Sequence, residues 1–106
     1  MFKEYGHPTK GQLERIEKWD IAEKGVLPLL DYVRAIWWAP DWGWVQTGKR
    51  KVRLQLHTGG RSENEDIISA LKRNLLFWAF YWVKSTKGGH YWFEITCCLK
   101  PQKKGD

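Results

Sequence analysis

The alternation of apolar and polar residues between Arg50 and His57 is the strictest pattern in the chain. Val52, Leu54 and Leu56 alternate there with basic and polar side chains. Because successive side chains of a strand point to opposite faces, this period of two predicts a strand with one face in the core and the other in water. The fold must therefore contain a sheet that is solvated on one face.

Two segments carry the signals of a helix start. Each opens with a capping box, a Ser or Thr followed three residues later by Gln or Glu, and continues with apolar residues at helical spacing. The two capping boxes are Thr9–Gln12 and Ser62–Glu65. We therefore predict helices over residues 10–24 and 63–74.

The other segments are predicted to be extended or to form turns. Pro28 is interpreted as the end of helical structure, Pro40 as part of a turn between two strands, and Thr86–Gly89 as the turn of a hairpin. The predicted strands cover residues 31–38, 42–47, 50–57, 76–84 and 90–99. The order αβββαββ predicts an α+β fold, a mostly antiparallel sheet of about five strands with two helices packed on one face.

The composition limits the class of protein. One domain is expected over residues 1–99, followed by a flexible basic tail over residues 100–106. The net charge of +6 favours anionic partners. No apolar run reaches the length of about 18 residues that a membrane span needs. The only cysteines, Cys97 and Cys98, are neighbours that rarely bridge each other, so we expect a cytoplasmic protein without disulfides.

A glycine-containing loop between the alternating strand and the second predicted helix is the first candidate site. Amides at a helix N-terminus attract anions, and Arg61 adds a fork that fits phosphate or carboxylate. If the final hairpin lies beside the strand, His90 reaches the same end of the sheet as His57. The candidate anion- or ligand-binding residues are His57, Thr58, Gly59, Gly60, Arg61, Ser62, Asn64, Glu65 and His90. The alternative is a turn followed by a helix cap, with no ligand.

Four of the eight tryptophans flank the turn at Pro40 and define the second candidate site. Trp37 and Trp38 are neighbours in a predicted strand, so they cannot both be buried on one side. An exposed aromatic patch marks a partner site, and beside cations it can stack single-stranded bases. The candidate partner-surface residues are Trp37, Trp38, Trp42, Trp44, Lys49, Arg50, Lys51 and Arg53.

Two segments of the chain resemble small uncharacterised proteins encoded by phages and mobile elements. They are Leu56–Ile68, with its Thr-Gly-Gly and Asn-Glu-Asp-Ile-Ile sequences, and Gly88–Glu94, with its Gly-Gly-His-Tyr sequence. The chain departs from those proteins at Arg61, where they have an aromatic residue, and at Glu63, where they have Gly. The resemblance implies no known activity, but it implies a small accessory protein of mobile-element origin acting in the bacterial cytoplasm.

These patterns favour a non-catalytic binding protein. The expected partner is another protein, a second copy of the chain or nucleic acid, and no membrane. The alternatives are a single-stranded nucleic-acid-binding protein and a small enzyme with an acid–base pocket around His57, Glu65 and His90. The histidine and cysteine spacings match no metal motif, so we expect no metal site and no cofactor.

Overall fold

The structure, a computed structural model, describes residues 8–38 and 40–96, which form an α+β fold with an antiparallel sheet as predicted. This part of the chain has six helices and four strands, not two helices and about five strands. The elements are α1 (Lys10–Glu17), α2 (Ile21–Lys24), α3 (Val26–Ile36), α4 (Pro40–Gly43), β1 (Trp44–Thr47), β2 (Val52–His57), α5 (Ser62–Arg73), α6 (Leu75–Tyr81), β3 (Trp82–Thr86) and β4 (His90–Ile95).

The first predicted helix is present but divided in two. Its capping box is confirmed, since the Gln12 amide donates to Thr9 Oγ1 at 3.1 Å and the Thr9 amide donates to Gln12 Oε1 at 2.8 Å. The helix stops after Glu17 because Asp20 begins a new one, its carboxylate accepting from the Glu23 amide at 3.0 Å. Residues 10–24 are therefore two short helices and not one.

The strand predicted over residues 31–38 is wrong, because most of this segment belongs to α3. Pro28 does not end helical structure: it is the third residue of α3, where the backbone needs no N–H group for a bond within the helix. The buried residues of the segment recur at helical spacing rather than in alternation. They are Val26, Leu29, Leu30, Val33 and Trp37.

The four strands lie in the order β1-β2-β4-β3, and every neighbouring pair is antiparallel. The alternating segment forms β2 over Val52–His57, as predicted except at its first two residues. The strand predicted over residues 42–47 begins only at Trp44, two residues later than predicted, because Trp42 belongs to α4. The hairpin turn is confirmed between β3 and β4, and β4 pairs with β2 on its other side.

The strand predicted over residues 76–84 is wrong in its first part, which forms α6. Asn74 caps this helix by accepting from the Phe77 amide at 3.2 Å. Its side-chain amide also donates to the backbone oxygens of Ile16 at 2.9 Å and Trp19 at 3.1 Å. The run of aromatic and leucine residues contains no period that separates helix from strand, so the cap decides.

The second predicted helix is confirmed, but its predicted capping box is wrong. The Glu65 amide donates to the Arg61 carbonyl at 3.0 Å, which makes Arg61 the N-cap and Ser62 the first helical residue. The Arg61 side chain makes no capping hydrogen bond. The helix therefore begins one residue earlier than the sequence pattern predicts.

The helices cover one face of the sheet, where Leu54, Leu56 and Phe93 are buried. Phe77 of α6 packs on Phe93 with ring centroids 5.3 Å apart, which shows how the helical layer contacts β4. No helix of the described residues is long and apolar enough to cross a membrane. The predictions for Ala39, Cys97, Cys98, Leu99 and the tail lie outside the described residues.

Candidate functional site

The solvated face of the sheet carries three pairs of side chains that lie opposite one another on β2 and β4. Because apolar residues of both strands point to the helices, the alternate residues point away from them. The pairs are Arg53 with Glu94, Gln55 with Trp92, and His57 with His90. We call these six residues the open face.

The two histidines of the open face are in direct contact. Nδ1 of His57 lies 2.7 Å from Nδ1 of His90, and the rings meet at 66°. One nitrogen must donate a proton and the other must accept it, so the pair holds one proton between the rings. Burial lowers the pKa of His57 below its ordinary value, and the nearby His90 ring lowers it further by a smaller amount.

Two tryptophans border the histidine pair. The Trp42 ring centroid lies 6.2 Å from that of His57, and the Trp92 centroid lies 6.4 Å from those of both His57 and His90. Trp42 retains 57% of its accessible surface, which makes it the most exposed tryptophan among the large apolar side chains of the described residues. The pair therefore neighbours two indole rings, of which Trp42 is largely exposed.

Glycines allow the backbone to approach closely around Trp42. A Cβ atom at Gly43 would lie 2.5 Å from the carbonyl oxygen of His57, so only glycine lets α4 approach the end of β2 this closely. Gly59, with a φ of +65°, lies under the Trp42 ring, where a Cβ atom would come within 3.0 Å. The position of Trp42 beside His57 thus depends on both glycines.

Thr58 and Asn64 hold the end of β2 in place below the histidines. The Thr58 amide donates to the Gly89 carbonyl at 2.9 Å, and Asn64 Nδ2 donates to the Thr58 carbonyl at 3.3 Å. Both side chains are fully buried. The structure therefore brings His57, Thr58, Asn64 and His90 together, but it gives Thr58 and Asn64 a role in the backbone framework.

The other residues of the predicted anion loop are directed elsewhere. Arg61 stacks over the Trp38 ring at 4.3 Å and donates to Glu63 Oε2 at 3.2 Å, so its guanidinium already contacts a ring and a carboxylate of the chain. Gly60, Ser62 and Glu65 are exposed. Glu63 and Glu65 lie in the first turn of α5, where their negative charges oppose an anion.

The predicted tryptophan patch is divided by the fold. Trp37 and Trp44 are buried and pack edge to face at 5.9 Å, because residues 26–36 form a helix that carries Trp37 into the core. Trp38 is half-buried beneath Arg61, and only Trp42 is largely exposed. Trp37 and Trp44 therefore cannot contribute to an exposed partner surface.

Trp92 belongs to the accessible aromatic surface but was not among the predicted partner residues. It lies between Gln55 and Lys84 in the sheet, and Lys84 Nζ lies 4.8 Å from the centre of its ring. The alternation of β4 already separates Trp92 from buried Phe93. The missing information was the strand order, which places this ring in the middle of the solvated face.

The predicted basic residues Lys49, Arg50, Lys51 and Arg53 are exposed. Glu94 lies 4.0 Å from Lys51 Nζ and 3.6 Å from Arg53 Nε. Such exposed ion pairs contribute about 0–1 kcal/mol, so a phosphate can displace the carboxylate at little cost. Lys51 and Arg53 therefore lie near Glu94 on the same face of the sheet as Trp92.

The cavities of the described residues differ in their position relative to the predicted site residues. A cavity of about 140 Å³ opens on the sheet beside Gln55, Lys84 and Trp92, below the size of about 300–1,000 Å³ that is typical of small-molecule sites. A cavity of about 630 Å³ lies between α2, α3 and Tyr81, away from all predicted site residues. Within residues 8–38 and 40–96, no three His, Cys, Asp or Glu side chains are placed to hold a metal ion.

Comparisons with protein-family models, curated proteins and solved structures find no match to the chain. The resemblance to phage and mobile-element proteins therefore stays a prediction.

Proposed function

We propose that the chain binds single-stranded nucleic acid, without catalysis, through its open face and the neighbouring Trp42 ring. The observation that carries the proposal is the position of Trp92 on the solvated side of an inner strand, with Lys84 over its ring. A tryptophan in this position contributes little to the core, because the core lies on the other side of the sheet. It does offer a flat surface on which a base can stack, with a contribution of about 1–3 kcal/mol per base.

The charges around Trp92 support an anionic partner. Lys84 lies on one side of it along the sheet, and Lys51 and Arg53 lie near Glu94 on the same face. Cations beside stacking rings are the combination by which single-stranded nucleic acids are bound without sequence readout. The accessory role and mobile-element origin implied by the resemblance are part of the same proposal.

Anisotropy of a fluorescein-labelled oligothymidylate tests the proposal, since it does not depend on the number of tryptophans in a variant. We expect W92A and W42A each to weaken binding about 5- to 150-fold, as the loss of one stacked base implies. Phe80→Ala is the matched control, because Phe80 is an exposed aromatic residue on α6, in the helical layer. Absence of binding by the wild type at low salt would contradict the proposal.

A homodimer is the second candidate, favoured by an apolar surface outside the open face. β3 pairs with β4 on one side only, so its other edge is unpaired in the described sheet. Beside it, α6 exposes Leu75 to 76%, Leu76 to 46% and Phe80 to 67%. Unpaired edges and exposed apolar patches are the features through which identical chains associate.

Size-exclusion chromatography with light scattering tests the second candidate. A dimer of the wild type that Phe80→Glu converts to a monomer would support it, because a charge at a buried contact is strongly unfavourable. Leu27→Glu, on exposed Leu27 of α3, is the control for an added charge elsewhere. A wild type that remains monomeric at high micromolar concentration would contradict it.

A further inference from the structure

The His57–His90 contact can hold only one proton between its two facing nitrogens. At 2.7 Å, one Nδ1 must be protonated and the other bare. If both nitrogens carry protons, two donors and two positive charges face each other, and the contact must open. An anion placed between the rings would accept from both donors and offset both charges.

The charged groups around the pair indicate that the anion comes from a ligand and not from a carboxylate of the chain. Glu94, on β4, is engaged by Lys51 and Arg53, and Glu63, on α5, is engaged by Arg61. The remaining charged residues on the neighbouring elements are exposed. They include Asp41 on α4, Glu65 and Asp66 on α5, Lys84 on β3 and Lys87 in the hairpin turn.

The two aromatic rings beside the pair fit a nucleotide chain. The ring centroids of Trp42 and Trp92 lie 6.2 and 6.4 Å from that of His57. A strand whose bases stack on both indoles therefore brings its backbone close to His57, which both rings neighbour. Its phosphate oxygen is then the anion that a doubly protonated pair requires.

We propose that the His57–His90 pair is the proton-dependent phosphate contact of the open face: a backbone phosphate of single-stranded nucleic acid enters between the two imidazoles as the pair takes up a second proton from solvent, with the adjoining bases on Trp42 and Trp92. This inference rests on the proposed function and adds its regulation by pH. Because the second proton is unfavourable without the anion, proton uptake and binding strengthen each other, and affinity rises as pH falls.

Oligothymidylate binding at pH 8.0, 6.5 and 5.5 tests the proposal, because neither thymine nor the phosphodiester titrates in this range. We expect the wild type to bind about tenfold more tightly at pH 5.5 than at pH 8.0. The slope of log affinity against log salt should steepen by about 0.7 at low pH, the value for one added phosphate contact on a single strand.

The variants H57Q and H90Q should lose the acid enhancement, so that their affinity at pH 5.5 equals that of the wild type at pH 8.0. Lys10→Gln is the control for the loss of one positive charge, because exposed Lys10 lies on α1, which carries no open-face residue. It should retain the enhancement. Two variants are used so that one remains informative if the other fails to fold by circular dichroism.

The outcomes separate the two proposals. Wild-type binding that is independent of pH overturns the histidine contact and leaves the nucleic-acid proposal standing. Absence of oligonucleotide binding at every pH overturns the nucleic-acid proposal, and sulfate then tests the anion contact by itself. At pH 5.5, sulfate should shift the ¹⁵N resonances of both imidazoles in the wild type. Unchanged resonances would overturn the contact as well.

Discussion

The side chain of Asn64 makes two hydrogen bonds with the backbone of Trp38, accepting from its amide at 2.8 Å and donating to its carbonyl at 3.2 Å. A third bond, from Asn64 Nδ2 to the Thr58 carbonyl, joins the same amide to the end of β2. One buried side chain therefore fixes the start of α5 to two other segments. The histidine pair depends on it, because Thr58 follows His57 directly.

Asn64→Ala should destabilise the fold by about 2–4 kcal/mol, since it leaves buried backbone groups without partners. Urea unfolding followed by circular dichroism measures the change. Ser69→Ala is the matched control on α5, because Ser69 is exposed and its loss should change the stability by less than about 0.5 kcal/mol. An Asn64→Ala protein as stable as the control would show that the three bonds contribute little.

Gly89 and Gly60 form a natural pair for separating backbone strain from steric clash. Both have a left-handed φ, +80° and +73°, but a Cβ atom at Gly89 would lie 2.0 Å from Thr58 Oγ1, whereas none of the structure lies within 4 Å of one at Gly60. Gly60→Ala should therefore cost only the strain of about 1–2 kcal/mol. Gly89→Ala should cost at least about 2 kcal/mol more, measured by the same unfolding experiment.

Equal losses of stability in the two alanine variants would contradict this account of the Gly89–Thr58 contact. The approach of the hairpin turn to β2 would then tolerate a side chain, and the position of His90 would not depend on glycine at position 89.

The elements predicted correctly from the sequence are those whose signals are local. β2 shows its alternation within six residues, and the capping box at Thr9 is complete within four. α3 was missed because Pro28 was interpreted as the end of helical structure. A proline breaks a helix in its interior but is tolerated in the first turn, where Pro28 lies. The capping residue Asn74 was likewise a local signal, in this case for the start of α6.

The candidate site could be predicted only in part, because its pieces are far apart in the sequence. The polar side of β2 follows from alternation, but Trp92 and His90 join it only through the pairing of β2 with β4 across more than thirty residues. The burial of Trp37 and Trp44 depends on α3 in the same way. The secondary-structure propensity of a residue contains no information on which strands pair, because the pairing is decided by the packing of the whole chain.

Asn74→Ala should be among the most damaging single substitutions in the helical layer. The side chain is buried, caps α6 and donates to the backbone of residues 16 and 19, so its removal loses a cap and one hydrogen bond to each of two carbonyls. We expect a loss of about 2–4 kcal/mol by urea unfolding. Asn74→Asp keeps the capping oxygen but loses the side-chain donor. If only the cap contributed to stability, this variant would be nearly as stable as the wild type.

The stability of the protein should decrease in mild acid because of His57. Burial, and in addition the His90 ring, hold the pKa of His57 below the ordinary value of 6.5, which it regains on unfolding. Between the two pKa values the unfolded chain binds more protons than the native one, so stability is complete above about pH 6.5 and falls as the pH drops through the folded-state pKa. Thermal melting at pH 7.5 and 5.5, above the range in which ordinary carboxylates titrate, should show a lower Tm at pH 5.5. In H57Q this difference should shrink, because the group that titrates is gone. In H90Q part of it should remain, since burial of His57, the larger cause, is retained. A wild-type Tm that is equal at both pH values, or an H57Q protein with an undiminished decrease, would show that His57 does not control stability in this range.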